Sequence, residues 1–176
     1  TCRESSVKTC VLRSSLIAVA VLGALSLSVA ARAQDAAQPA PLDQPYAGML
    51  AVNVDLTDAP KRVFRMHETI PVQSGPFTLL YPEWIPGEHA PSGPIENIAG
   101  LIITANGKPL AWRRDLRDMF SLHLEVPAGV SQLDLAYQFL APGDGEGSLF
   151  GASASSTPNL VDLEFNQVAF YPAGYY

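Results

Sequence analysis

Few residues in this sequence have the chemistry to act on a substrate. It contains three histidines, His67, His89 and His123, and two cysteines, Cys2 and Cys10. His67-Glu68 begins like a zinc hydrolase motif. In H-E-x-x-H, two histidines one helical turn apart hold the metal and the glutamate activates a bound water. Here the stretch reads His67-Glu68-Thr69-Ile70-Pro71, with proline in place of the second histidine. Proline also breaks the helix that the motif needs, so His67 is read as a strand histidine. His89 and His123 have no C-x-x-C or H-x-H spacing around them. His123 falls on the polar side of an alternating run, where solvent is its expected neighbour. No G-x-S-x-G is present to carry a serine nucleophile. Gly143-Asp144-Gly145-Glu146-Gly147 is followed by neither the lysine nor the helix of a phosphate cradle. Its two acids are a sparse calcium ligand set, and a surface loop is expected. Arg113, Arg114, Asp115, Arg117 and Asp118 read as a solvated cluster with weak ion pairs.

One stretch stands apart. Tyr81-Pro82-Glu83-Trp84-Ile85-Pro86-Gly87-Glu88-His89 combines two prolines, a glycine, two aromatics, two acids and a histidine. Each proline fixes φ and removes a backbone donor, and the glycine opens conformations closed to other residues. Trp84 is expected to be buried as a peg, with its N–H paired. The irregular, proline-containing run that follows, to Asn97, makes a long loop, and long loops in compact domains are commonly functional. Trp84, Pro86, Gly87, Glu88 and His89 are therefore the candidate residues bordering a cleft. The alternative is a structural strand crossover.

These residues need elements to position them. Residues 8–33 have the form of a secretory signal peptide: Lys8 and Arg13, then the apolar run Leu16 to Ala30, then Ala31-Arg32-Ala33 as a cleavage site. The run is shorter than the roughly 20 residues of a spanning helix, so no permanent membrane anchor is expected, and an exported, periplasmic or extracellular protein is. The mature chain would start near Gln34 and contain no cysteine, so no disulfide could stabilise it. From there on, seven basic residues face sixteen acids, nine excess negative charges, which argues against nucleic acid as a partner. Residues 34–45 are rich in Ala, Pro and Gln without a hydrophobic period and read as a flexible leader.

Beyond the leader, apolar residues recur with period two: Leu50, Val52, Val54; Phe64, Met66, Ile70; Phe77, Leu79, Tyr81; Phe120, Leu122, Leu124, Val126; Leu133, Leu135, Tyr137, Phe139. Leu101 to Ala105 leads into Asn106-Gly107, a strong hairpin signal. Leu163 with Phe165 and Val168 with Phe170 suggest a last strand pair. No amphipathic helix of ordinary length is evident. The pattern predicts an all-β domain over 46–176, an antiparallel β-sandwich of about seven or eight strands.

Several of these stretches together resemble a known family. Leu79 to Gly87 is similar to a pattern L-x-x-P-x-W-x-P-G found in the N-terminal domain of metallopeptidase family sixty-one, the glycyl aminopeptidases, which often bear a PDZ domain. Ile95-Glu96-Asn97-Ile98, the hairpin from Leu101 to Leu110, the strand from Leu133 to Ala141 and the stretch from Asn159 to Gly174 follow in the same order. The chain departs after Gly87, where Glu88, His89 and Ala90 stand instead of the family's usual tyrosine. The resemblance implies a zinc peptidase whose H-E-x-x-H lies in a following catalytic domain. It supplies no catalytic residue, metal ligand or cofactor site here. The implied partners are that catalytic domain, absent from this chain, and, in the complete protein, a peptide substrate. The other reading is a free-standing secreted sandwich that binds a peptide, glycan or protein.

Overall fold

The computed structural model describes residues 39–142 and 154–175. The signal segment, residues 34–38 of the leader and the Gly143–Gly147 loop lie outside the described residues. Alternating side chains need a sheet with one dry face, and they form two. In chain order the strands are β1 (Ala51–Asp55), β2 (Val63–Pro71), β3 (Gly75–Leu80), β4 (Ile98–Ala105), β5 (Lys108–Pro109), β6 (Trp112–Arg114), β7 (Ser121–Val126), β8 (Gln132–Leu140), β9 (Ser155–Thr157), β10 (Leu160–Asp162) and β11 (Tyr171–Pro172). One sheet has the order β1-β2-β8-β4-β5, the other β11-β3-β7-β6, and β9 pairs with β10 in a separate hairpin. All pairs are antiparallel.

The dry faces meet in one core. Phe64, Ile70, Ile103, Leu133, Leu135 and Phe139 from the first sheet share a hydrophobic cluster with Leu79, Leu122, Leu124 and Val126 from the second. At one end Tyr81, Phe170 and Tyr137 meet edge to face, with centroids 5.4 Å and 5.3 Å apart. The sandwich expected from the alternation is present. Asn106-Gly107 makes the expected tight turn between β4 and β5, both residues at positive φ (49° and 73°).

One local expectation is corrected. The last strand pair over Leu163–Phe170 is replaced by a 3-10 turn at Phe165–Gln167 and the two-residue β11. The β9–β10 hairpin had no apolar alternation to announce it. Residues 39–45 lie along the sandwich, and Leu42 N–H donates to the Gly174 carbonyl (2.6 Å).

Candidate functional site

β2 carries Phe64, Met66, Glu68 and Ile70 on one face, since period two sends alternate side chains to the same side. All four are buried. Glu68 is thus an acid in the dry row, with no exposed surface. Its Oε2 accepts a hydrogen bond from the Phe170 backbone N–H (3.0 Å) and a longer one from the Tyr137 hydroxyl (3.2 Å), whose single proton is shared with the Val168 carbonyl (2.7 Å). Its Oε1 is the one buried side-chain polar atom without a partner among the described residues. Burial outweighs these two hydrogen bonds and pushes the carboxyl up to about 7.

Glu68 lines a cavity of about 530 Å³, within the size range of small-ligand sites. Leu50, Val52 and Phe170 supply apolar wall. Pro82, Glu83, Trp84 and Pro86 come from the loop after β3, and Phe165, Asn166 and Tyr171 from the segment after β10. The loop is built to hold its place. Tyr81 and Ile85 are buried, and the Tyr81 hydroxyl donates to the Gln167 carbonyl, tying the two segments together. Gly93 N–H donates to Glu83 O (2.9 Å), closing the loop at its base. Only glycine fits there: a Cβ on Gly93 would lie 1.7 Å from the Pro82 carbonyl oxygen.

The predicted cleft residues divide. Trp84 and Pro86 line the cavity. Gly87 sits in the loop at φ 89°. Glu88 N–H donates to Ile85 O (3.0 Å) in the turn, and His89 is exposed; neither lines the cavity. The expectation that Trp84 is a buried peg is wrong, because the residue is 61% exposed. The pegs are its neighbours Tyr81 and Ile85, and Trp84 instead forms part of an exposed aromatic rim with Phe165 (55%) and Tyr171 (37%). In the sequence Glu68 stands out only as part of the incomplete His67-Glu68 motif, although its place between Met66 and Ile70 in an alternating strand was the signal of a buried acid.

A second polar constellation lies on the other sheet. Thr78 on β3 and His123 on β7 are cross-strand partners. Thr78 Oγ1 and His123 Nδ1 are 3.0 Å apart, and His123 Nε2 is 2.8 Å from Asp115 Oδ2. The order hydroxyl, imidazole, carboxylate matches that of a hydrolase relay. All three groups are largely buried, and His123 is not solvated as expected: the loop after β6 folds over it. Asp115 also accepts from the N–H groups of Arg117 (2.8 Å) and Asp118 (3.1 Å). The Arg117 N–H, then His123 and the Asp118 N–H, hold its carboxyl down at about 2. Asp115 is therefore the knot of a folded loop, not a member of a solvated cluster. The geometry makes the relay a clip from that loop to β3 and β7.

The implied zinc does not fit the described residues. His67 and Glu68 are consecutive in β2 and point to opposite faces, His67 exposed and Glu68 buried, so they cannot hold or serve one ion. No group of three or more histidines, cysteines or acids among the described residues is placed to bind a metal. No helix among them is long and apolar enough to cross a membrane.

The family model described as the Peptidase M61 N-terminal domain matches residues 51–176. Among solved structures, an aminopeptidase N family protein from Idiomarina loihiensis is similar, with a TM-score of 0.59 and 19% sequence identity. The match covers 70% of this chain and 20% of that one, and shows a shared fold. No match was found among curated proteins.

Proposed function

Because this chain belongs to the Peptidase M61 N-terminal domain family, we propose that it is the non-catalytic front domain of an exported zinc-aminopeptidase-like protein. In this reading the cavity face packs on a catalytic domain and borders the cleft that receives the peptide substrate. The observation that carries the reading is the aromatic rim. Trp84, Phe165 and Tyr171 expose large apolar surface around one concavity, and exposed apolar patches with aromatic residues mark surfaces that a partner covers. The closed loop base supports it, since a rigid protrusion loses little freedom on contact. Export is supported by the basic and apolar run before Ala31-Arg32-Ala33.

The test begins with the coding DNA. H-E-x-x-H should follow the codon for Tyr176 in the same reading frame. The complete product should then hydrolyse aminoacyl 4-nitroanilides, and Trp84→Ser should raise KM or detach the domains in limited proteolysis. Secreted material should begin at or near Gln34 by mass spectrometry. A reading frame with no such motif replaces the proposal with a free-standing sandwich that binds a peptide, glycan or protein. Wild-type kinetics and proteolysis for Trp84→Ser would remove the rim from function.

A further inference from the structure

We propose that the cavity beneath Trp84 is a socket for one basic side chain, an arginine or lysine carried on the polypeptide surface that covers the rim, with Glu68 Oε1 as its counter-ion. This rests on the reading above that a polypeptide covers this face.

Glu68 makes the case. An acid in the row Phe64, Met66, Ile70 weakens the core unless something compensates it, and an unpaired buried oxygen calls for a partner. Both bonds the protein supplies go to Oε2, and Oε1 has none among the described residues. Glu68 belongs to the wall of this cavity, and its carboxyl is buried there. Among the described residues, the other titratable side chains lining that cavity are Glu83 and Tyr171; neither is a cation, and Glu83 adds negative character. The donor that fits must bring positive charge and an apolar stem past Leu50 and Val52, as arginine and lysine do. Trp84 and Tyr171 at the rim add faces over which a guanidinium or ammonium is favoured. The width of the apolar rim points to a protein surface as the carrier, because a small cation would leave it bare. Aromatic residues around a desolvated arginine are a frequent composition for the energetic centre of a protein contact.

The test uses the 176-residue chain at about pH 8, where Glu68 is ionised. The probes are the blocked peptide acetyl-Leu-Arg-Leu-amide, the same peptide with uncharged citrulline for arginine, and agmatine, followed by amide chemical shifts of Phe170 and Tyr171. The arginine peptide should bind at least about tenfold tighter than the citrulline peptide, the gain expected of a charge-assisted hydrogen bond. Glu68→Gln should bring the two within about twofold while the fold persists by circular dichroism. Glu68→Ala serves as a second variant and should do the same. Equal binding of both peptides, weakened by Trp84→Ser, would leave the covered face standing and overturn the socket. No binding of either peptide also overturns the socket, and the covered face is then decided by the complete protein. Agmatine binding more tightly than the arginine peptide would make this a small-cation site and overturn the polypeptide carrier.

Discussion

Replacing Glu68 by glutamine should change how stability depends on pH more than it changes stability itself. The carboxyl sits at about 7 in the fold against an ordinary 4.5. The folded state therefore prefers the neutral acid. Below about pH 4.5 both states hold the proton and nothing is lost. As pH rises, the unfolded chain releases its proton first, so stability falls until the folded carboxyl also ionises near 7, and is level above that. The full difference is about 2.5 units, or roughly 3 kcal/mol. Between about pH 5 and pH 8, about 2.5 kcal/mol of this should be lost in the wild-type chain and none in Glu68→Gln. Glutamine keeps an acceptor for Phe170 N–H and Tyr137 but buries an unpaired amide, which costs about 1–3 kcal/mol at every pH. The variant should thus be weaker than wild type at the acid end and equal or stronger at the alkaline end. Urea unfolding at the two pH values gives the four free energies needed. Parallel curves for the two proteins would refute the reasoning, since the carboxyl would then be as well solvated folded as unfolded.

Trp84→Ala should change unfolding free energy by no more than about 0.5 kcal/mol, as exposed substitutions do; a loss of roughly 3 kcal/mol or more in urea would return the tryptophan to the core. Tyr81→Phe removes the hydroxyl bond to Gln167 O inside the core and should destabilise by about 1 kcal/mol, with wild-type stability in the same assay as the contrary result. Gly93→Ala places a methyl against the Pro82 carbonyl and should lower stability by several kcal/mol or displace the loop; an unchanged melting curve and unchanged Trp84 fluorescence would contradict the close approach. His123→Ala should speed hydrogen exchange at the Arg117 and Asp118 amides, which bond to Asp115, by about tenfold or more as the clip opens, and unaltered exchange would show that the loop holds without it.

The longer strands were legible because each buries one face and leaves the other wet, and β8, with its unbroken alternation from Gln132 to Leu140, is the plainest example. The β4–β5 turn was legible from Asn106-Gly107 alone. What escaped has a common cause. β7 is buried on both faces, at Ser121 and His123 as well as Leu122 and Leu124, because a loop distant from the dry face folds over the wet one. No local pattern announces such a cover. β9 has only Ser155, Ser156 and Thr157, and takes its place through Ser156 Oγ donating to Ala59 O (2.6 Å). Trp84 escapes because residue type alone does not decide burial; Tyr81, directly after β3, is the last side chain to follow that strand's dry face, and the chain has already turned away when it reaches Trp84. Glu68 is the opposite case, a polar residue whose place in the period, between Met66 and Ile70, prevails over its identity.

The bond between Gly93 and Glu83 makes the intervening loop an interchangeable part. With the neck clamped and Ile85 seated, the exposed tip at His89, Ala90, Pro91 and Ser92 can be lengthened, shortened or rewritten without disturbing either sheet or the position of Trp84. Relatives could acquire different contours at this spot by altering a handful of codons, while glycine at 93 stays obligatory because every variant must pass through the same neck. The same property makes the site suited to grafting: a peptide spliced between Glu88 and Gly93 would be displayed on a closed stem beside an aromatic platform.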